Sequence, residues 1–497
     1  MNRPETPLDR ALFLACLITI LAALLACVPA FFVPIGFLAE GDALDYRVPI
    51  LKWMLRHGSY PNWNWTFVDD YPMLGELLML PFFALKQELA RVVAVLAYFG
   101  AAAFGALIGV ELLPERLAGE KRAFFLFALA SLLGLQPLLV QADHVMVDNV
   151  ASCFALGSLW LLLRGKTLPA ACLMAGALAT RYMIWGAAPG AAAALLLLRN
   201  GQKNRAREVV LFTLVAGLGA LPFLVRNALL NGNPFFPLLN DLFGGEPIAA
   251  FDGWGRGKGL LELLLFPYDL LYTNSFVRAL FDTKAPPDGY YVYKLSFLFY
   301  IQLFLVLLID LLHGREILRS LRKVAASPKV RAVALFGLFH FLFWWLGSQQ
   351  LRFFGCGLAL ANLFLLYYLF TRLPKGLVVA LALLPLAAIL LVRQESWRIA
   401  FGKQVSLRDS GYVLSAERCF QRAGLQPGDV VGFPNRDVIN GYFDFDFVFL
   451  SPNNLFIKPP GQPSAPLPRF VYSGIDFSDR EGYLRWPEEK PCLLRLR

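Results

Sequence analysis

The chain has 497 residues, a formal net charge of +10 and a mean hydropathy of +0.55, with 57% hydrophobic and 16% charged residues. Soluble domains average about 45–50% apolar and about 25% charged residues, so this composition excludes an ordinary soluble protein. It predicts a polytopic α-helical membrane protein. The positive charge does not indicate nucleic-acid binding, because Lys and Arg lie mainly in short loops between apolar runs, where the positive-inside rule places them.

Apolar runs close to the length that crosses a bilayer recur along most of the chain. We predict about eleven transmembrane helices from these runs. Two of them form a short hairpin over residues 168–198, turning near Arg181, because basic loops flank this segment on both sides. The other predicted crossings are 11–38, 90–112, 122–141, 148–163, 208–225, 294–312, 332–347, 353–370 and 376–392. The first is too long for the core of a signal peptide, so we expect it to be retained.

Basic residues decide the orientation of these crossings. If the N-terminus is cytoplasmic, the loops rich in Lys and Arg, including 199–207 and 313–331, all fall on the cytoplasmic face, as the positive-inside rule requires. The first loop, the 226–293 loop and the C-terminal region then share the outer face, which in a bacterium is the periplasm. We therefore expect a multi-pass protein of the bacterial inner membrane with a periplasmic C-terminal region.

The composition changes near residue 394, which divides the chain into a transmembrane domain, 1–393, and a small C-terminal domain, 394–497. About a hundred residues can hold a modest core, and three short apolar segments predict strands of a small α/β unit. These segments are 429–435, 447–453 and 469–477. Cys419 and Cys492 would pair in this domain only in an oxidising compartment, and the sequence leaves their pairing open.

The first outer loop contains two segments that are too short to cross a bilayer. In the first, an apolar stripe opposes basic residues, which predicts a helix lying flat on the outer leaflet with its cations towards lipid headgroups. The stripe consists of Val48, Leu51, Met54 and Leu55, and the basic residues are Arg47, Lys52 and Arg56. The second segment, 71–86, is apolar and bracketed by Pro72 and Pro81, so it lies along the interface or re-enters it.

Acidic residues gather around these two segments. Asp42 and Asp45 accompany the first, and Asp69 and Asp70 precede the second. Each pair has two interpretations: it caps a helix, or it reaches a substrate at the depth of a lipid phosphate. Ionisable groups at membrane depth are functional candidates by default.

A further acidic position lies in DHVMVDNV, residues 143–150, where the third predicted crossing turns into the fourth. His144 and Asp148 are four residues apart and share a helix face if the fourth helix begins there. This spacing leaves a metal-binding pair and an ordinary hydrogen-bonded histidine as alternatives. No CxxC or His-x-x-x-His spacing occurs in the chain.

Three arginines lie at predicted outer helix ends between apolar residues: Arg181, Arg226 and Arg352. The guanidinium fork matches two phosphate oxygens, whereas the alternative role for each arginine is anchoring to lipid headgroups. Lys258 lies in GRGKG, residues 255–259, which would cradle a phosphate if a helix followed, but none is plainly predicted.

Six stretches follow one another along residues 11–393 in an order that resembles a known group. They are GDALDYRVPI (41–50), YPMLGELL (71–78), the turn at Asp148, NGNPFFPLLNDLF (231–243), FPYDLLY (266–272) and QQLRFFGCGLAL (349–360). In these stretches the chain resembles the GT-C membrane glycosyltransferases, in particular bacterial relatives of the protein O-mannosyltransferases and the lipid-A aminoarabinose transferase.

The resemblance implies roles for three residues. Asp42 would be the first-loop acid that activates the acceptor, Asp148 the second acidic position, and Arg352 the cation that follows paired glutamines. The chain departs from many relatives at Arg47, where they have His, and at Asp69-Asp70, where they have a single acid.

Together these observations predict a glycosyltransferase that moves a sugar from a polyprenyl-phosphate donor to an envelope glycan, lipid or protein acceptor at the periplasmic face. The predicted catalytic residues are Asp42 and Asp148; the predicted substrate-binding residues are Asp45, Tyr46, Asp69, Asp70, Tyr71, Glu76, His144, Arg181, Arg226, Lys258 and Arg352. A divalent metal is compatible with the sequence but not required by it.

Two alternatives of other classes stay open. A transporter or flippase of a polyprenyl-linked sugar would also have many helices with scattered charges, although such proteins usually show paired halves and no internal repeat is visible in this chain. A non-catalytic membrane protein of envelope assembly would keep the same scaffold without the activity.

Overall fold

The structure, a computed structural model, describes a large part of the chain. The described residues are 6–33, 35, 43–59, 72–236, 239, 242–243, 297–313, 327–347, 351–401, 421, 424–425, 430–433, 446–449, 470–473, 483–485 and 492–496. The described α-helices are, in chain order, α1 (Pro7–Cys27), α2 (Val48–His57), α3 (Leu74–Leu85), α4 (Arg91–Leu112), α5 (Lys121–Leu133), α6 (Gln136–Val140), α7 (Asp148–Leu163), α8 (Thr167–Leu178), α9 (Ala187–Leu198), α10 (Arg205–Asn231), α11 (Phe297–His313), α12 (Pro328–Leu346), α13 (Gly355–Arg372) and α14 (Lys375–Phe401).

Every predicted crossing overlaps one of these helices or a bent pair of them. The bounds differ most at the first crossing, 11–38, where α1 ends at Cys27 and a 3-10 turn follows to Phe31. Within the described residues, six segments are long and apolar enough to cross a membrane: Pro7–Phe31, Gln87–Leu112, Arg205–Leu230, Pro328–Leu346, Arg352–Arg372 and Lys375–Gln394. A seventh would be the pair Glu115–Leu133 and Gln136–Asp143, which is bent by 61°. The chain is therefore a multi-pass membrane protein. Length and composition allow six or seven spans in the part of the chain that the structure describes. The predicted number of eleven stays a prediction, because α7, α8 and α9 are apolar but short.

Local signals explain where several helices begin and end. The backbone N–H of Thr6 donates to the Asp9 carboxylate, and the Asp9 N–H donates back to the Thr6 hydroxyl, which together form a capping box at the start of α1. At their other ends, α2 and α10 stop at Gly58 and Gly232, whose φ angles of 63° and 67° suit a residue without Cβ.

Small residues let the central helices pack closely. A Cβ on Gly105 of α4 would lie 2.7 Å from Cδ1 of Leu132 in α5, and one on Gly109 would lie 2.7 Å from the Phe124 ring. Close helix approach through small residues is typical of membrane bundles. Outside this core, leucines such as Leu214, Leu218 and Leu229 of α10 are exposed, as expected of a surface that faces lipid.

Ion pairs mark the two ends of the helix bundle. At one end, Glu111 of α4 contacts Lys329 of α12 at 2.6 Å and Arg164, directly after α7, at 3.4 Å. Lys375 of α14 contacts Asp9 of α1 at 2.7 Å at the same end. We call this the basic end. At the opposite end, here called the site end, α7 begins at Asp148 and α8 stops just before Arg181.

Two helices of the loop after the first crossing, α2 and α3, pack at the site end. Val48 and Leu51 of α2 share an apolar cluster with Met79 of α3 and with Val145 and Val147 of the turn before α7. The chain therefore folds α2 and α3 over the turn that carries Asp148.

Three details of these helices differ from the sequence-based expectation. Arg47 does not face lipid headgroups, because its side chain is fully buried and pairs with Glu76 of α3. Leu55 is not part of the buried stripe and is 47% exposed. Pro81 does not end the second segment, since α3 continues through it to Leu85.

The C-terminal region contains a mixed β-sheet of five described strands. They are β1 (Val430–Phe433), β2 (Asp446–Phe449), β3 (Phe470–Ser473), β4 (Tyr483–Arg485) and β5 (Cys492–Leu496), in the order β2-β1-β3-β5-β4. β1 runs parallel to β2 and β3, whereas β5 is antiparallel to β3 and β4. The three predicted strands lie at β1, β2 and β3, and the sequence analysis missed β4 and β5.

Candidate functional site

Asp148 is held at the first residue of α7 by the bend that precedes it. The chain turns at Gly134, where a Cβ would lie 2.6 Å from Cβ of Pro385, so only glycine fits beside α14. The side-chain amide of Asn149 then donates to the Leu138 carbonyl at 2.8 Å. An acidic residue in the first turn of a helix also interacts favourably with the helix dipole.

Arg181 reaches Asp148 from the turn between α8 and α9. The Thr180 hydroxyl donates to the Gly176 carbonyl at 2.7 Å and closes α8, and Arg181 itself has an extended backbone. Its Nε lies 3.2 Å from Oδ1 of Asp148, with side-chain exposures of 8% and 4%. The two residues therefore form a buried ion pair between the start of α7 and the turn after α8.

Arg352 lies over the same aromatic ring as Arg181. The guanidinium carbon of Arg352 lies 4.7 Å from the centre of the Phe353 ring, and that of Arg181 lies 4.8 Å from the same ring. Two predicted site residues, Arg181 and Arg352, thus meet at Phe353, and Asp148 joins them through its ion pair with Arg181. We call Asp148, Arg181, Arg352 and Phe353 the Phe353 cluster. Sequence analysis missed Phe353, although an aromatic residue directly after an arginine at a helix start was a visible signal.

The start of α3 forms a wall beside the Phe353 cluster. The Leu74 N–H donates to the Ala179 carbonyl at 2.9 Å, next to the Arg181 turn. A Cβ on Gly75 would lie 2.4 Å from Cγ1 of Val147 and 3.4 Å from Cγ2 of Thr180. Gly75 therefore lets α3 contact both turns that carry the buried ion pair.

Tyr46 and Glu76 occupy a neighbouring position at the junction of α2 and α3. Glu76 pairs with Arg47, and the Arg47 guanidinium carbon lies 5.0 Å from the Tyr46 ring centre. All three side chains are buried. In this arrangement Glu76 links the two overlying helices.

His144 does not share a helix face with Asp148, because α7 begins only at Asp148. Its Nδ1 lies 3.5 Å from Oδ1 of Asp143 instead. In the described part of the chain, no group of three or more His, Cys, Asp or Glu side chains has an arrangement that would hold a metal ion.

Arg226 lies in the last turns of α10 and is half-buried. Its neighbour Asn227 donates to the Tyr182 hydroxyl at 2.7 Å and to the Phe236 carbonyl at 3.1 Å. This network connects α10 and the NGNPFF stretch to the Arg181 turn. The remaining predicted residues, which are Asp42, Asp69, Asp70, Tyr71, Lys258 and the side chain of Asp45, lie outside the described residues.

Arg393 is a buried cation at the site end that had not been singled out from the sequence. Arg393 of α14 forms an ion pair with Asp143, and each side chain is 3% exposed. Arg393 lies directly after the last predicted crossing, so sequence analysis treated it as a residue of the boundary.

No protein-family model matches the sequence, and no curated protein matches it. Among solved structures, the fold is similar to that of ArnT from Cupriavidus metallidurans. The apo structure has a TM-score of 0.54 at 13% identity, covering 88% of this chain and 86% of that chain. The structure bound to undecaprenyl phosphate has a TM-score of 0.53 at 13% identity, covering 87% and 85%. The chain thus has a fold similar to that of ArnT, in agreement with the fold that the sequence resemblance implied.

Proposed function

We propose that this chain is a glycosyltransferase that takes a sugar from a polyprenyl-phosphate donor and transfers it to an acceptor of the cell envelope. The observation that carries the proposal is the Phe353 cluster, in which two buried guanidinium groups and one carboxylate meet at the site end. The fold supports it, because ArnT shares that fold and one of its structures holds undecaprenyl phosphate.

The two arginines of the cluster fit a phosphate leaving group. As the bond between the sugar and the phosphate oxygen breaks, its electron pair goes to the departing polyprenyl phosphate. Guanidinium groups already oriented at that position stabilise the growing charge, and they do so more strongly in a buried site than in water. Asp148 holds Arg181 in place through their ion pair at 3.2 Å.

Asp42 is the proposed base. It would accept the proton of an acceptor hydroxyl or amine, so that the freed lone pair attacks the anomeric carbon; a general base must lie about 2.6–3.2 Å from the proton donor. Asp42 immediately precedes the short helical turn Ala43–Arg47, which continues into α2. The acceptor would be an envelope glycan, lipid or protein, and Asp45, Asp69, Asp70, Tyr71 and Lys258 are proposed to contact the substrates.

The proposed location is the periplasmic face of the inner membrane, with eleven crossings, a cytoplasmic N-terminus and residues 394–497 in the periplasm. The clustering of Arg164, Lys329 and Lys375 at the basic end supports this orientation, since such residues favour the cytoplasm. A membrane location suits the donor, because its polyprenyl tail stays in the bilayer.

The test is transfer of a radiolabelled sugar from polyprenyl phosphate by the purified chain in proteoliposomes. Mass analysis of envelope glycans and proteins from a deletion strain comes first. The sugar that is missing identifies the donor, and the molecule that lacks it identifies the acceptor. We expect Asp42→Asn and Asp148→Asn each to lower kcat by about 100-fold or more. Glu111→Gln, which removes an ion-pair partner at the basic end, is the control and should retain transfer.

Other outcomes would contradict the proposal. Movement of the labelled lipid across the bilayer without a glycosidic product would indicate a flippase, and neither movement nor product would indicate a non-catalytic assembly protein. Near-normal transfer by Asp42→Asn would remove Asp42 as the base.

A further inference from the structure

The buried ion pair between Asp143 and Arg393 takes no part in the proposed chemistry, yet it holds the segment that leads to Asp148. Arg393 comes from α14, far along the chain, and it contacts this segment at two points. Its guanidinium pairs with the Asp143 carboxylate and also donates to the Leu139 carbonyl. A planar fork that engages two acceptors restricts the orientation of both partners.

The same segment is attached to the Phe353 cluster on its other side. The Gln141 side-chain amide donates to the Arg352 carbonyl at 3.3 Å. Residues 136–147 therefore lie between Arg393 and the short turn that carries Arg352 and Phe353, and they run directly into Asp148. A displacement of this segment would move Asp148 relative to Arg352.

Stability alone does not explain a buried ion pair at this position. Removing two charges from water costs several kcal/mol for each ion, and well-packed apolar side chains of similar volume are often as stabilising or more so. Apolar side chains in place of Asp143 and Arg393 would fill the same space, but they would lack the directional ion pair and the hydrogen bond to the Leu139 carbonyl. The feature that distinguishes the ion pair from an apolar contact is thus orientation.

We propose that Arg393 is a positioning residue: through Asp143 and Leu139 it clamps residues 136–147 so that Asp148 stays in register with Arg352. The consequence for catalysis rests on the proposed function, whereas the clamp itself does not.

Two measurements on the full-length protein in nanodiscs test the clamp. The first is hydrogen exchange of the backbone amides of residues 141–148, which reports local opening of the segment whether or not the chain is an enzyme. The second is steady-state transfer, with kcat separated from KM for the donor. The variants are Arg393→Gln, Arg393→Lys and the double variant Asp143→Leu/Arg393→Met. Lys375→Gln, which removes the ion pair with Asp9 at the other end of α14, is the control.

We expect Arg393→Gln to accelerate exchange in residues 141–148 and to lower kcat by about 100-fold, the effect of a displacement of about 1 Å, with KM nearly unchanged. Arg393→Lys should fall between it and the wild type, because it keeps the charge but not the fork. The double variant should regain the thermal stability of the wild type while exchange stays fast and kcat stays low. Lys375→Gln should change neither quantity.

Each contrary result overturns a defined part of the inference. Wild-type exchange in Arg393→Gln would overturn the clamp. Recovery of kcat together with stability in the double variant would show that the ion pair is only structural. If the wild type transfers no sugar at all, the proposed function fails, and the exchange measurement still decides whether the clamp exists.

Discussion

At the scale of single residues, the arrangement around Phe353 depends on how guanidinium groups are buried. Arg181 and Arg352 lie over the same ring at 4.8 and 4.7 Å, and Arg181 also pairs with Asp148 at 3.2 Å. An aromatic face attracts a cation with about 0.5–2 kcal/mol, more when the pair is desolvated. Phe353 therefore orients two cations that a phosphate would later approach.

Replacing Phe353 by Leu tests this role, because Leu keeps an apolar side chain but has no aromatic face. We expect kcat/KM for the donor to fall by about tenfold or more, since about 1.4 kcal/mol corresponds to a factor of ten and two cation contacts are lost. Initial rates of sugar transfer at low donor concentration measure the effect.

The matched control is Phe354→Leu in the next residue. Phe354 stacks on His340 and Trp344, with ring centres 5.3 and 4.9 Å apart, and no cation lies over its ring among the described contacts. We expect Phe354→Leu to lose about as much thermal stability as Phe353→Leu but to lose less transfer activity. Equal losses of transfer in both variants would contradict a role for the Phe353 cation contacts.

At the scale of secondary-structure elements, α3 connects the overlying helices to the site. Its first turn fits between the Asp148 and Arg181 turns because Gly75 has no side chain. Its next residue, Glu76, pairs with Arg47 and thereby attaches α2. One short helix thus determines both the wall of the site and the position of its neighbour.

Gly75→Ala should separate α3 from these turns, because the added Cβ would lie 2.4 Å from Val147 Cγ1. Overpacking of this kind costs about 1–3 kcal/mol, and a displaced wall should lower transfer by about tenfold to 100-fold. Thermal unfolding and transfer rate measure the two effects. Gly217→Ala in α10, where no atom lies within 4 Å of the added Cβ, should preserve both.

The pair Arg47–Glu76 yields a prediction for stability. Glu76→Gln leaves the fully buried Arg47 without its counter-charge and should destabilise the protein by about 3–5 kcal/mol, whereas Arg47→Met/Glu76→Leu should return to near wild-type stability. We expect the double variant to recover transfer as well, as measured in the same preparation. Restored stability without transfer would instead assign Glu76 to substrate binding.

At the scale of the whole molecule, the helix bundle has one end rich in paired basic residues and one end with the Phe353 cluster. The proposed orientation places the first end in the cytoplasm. Alkaline phosphatase is active only after export, so a fusion after Arg497 should be active and a truncated fusion after Lys203, in a predicted cytoplasmic loop, should be inactive. Reversed activities would invert the topology and place the Phe353 cluster on the cytoplasmic side.

Much of the helical architecture was predictable, because a run of neighbouring apolar residues marks a membrane helix whatever that helix contacts in the fold. The 148–163 crossing coincides with α7, Asp148–Leu163, and the hairpin turns where Thr180 and Arg181 end α8. The length of the predicted crossing 208–225 was underestimated, since α10 extends over Arg205–Asn231. A helix can continue into the interface, where apolar content no longer marks its ends.

The site was predictable only as a set of separate residues. Asp148, Arg181 and Arg352 were singled out as candidates, because an ionisable group at membrane depth is costly and is therefore a functional candidate by default. The sequence did not reveal that Phe353 lies between the two arginines. It also assigned Arg47 to the lipid surface, whereas Arg47 is buried against Glu76.

The amino-acid sequence by itself determined that this is a multi-pass membrane protein and where most of its helices lie, and it marked which charged residues are candidates for a function. Only the tertiary structure decided which charge meets which: Arg181 with Asp148, Arg393 with Asp143 and Arg47 with Glu76. The length of an apolar run is a property of neighbouring residues, but the partner of a buried charge depends on which helix faces meet across the bundle.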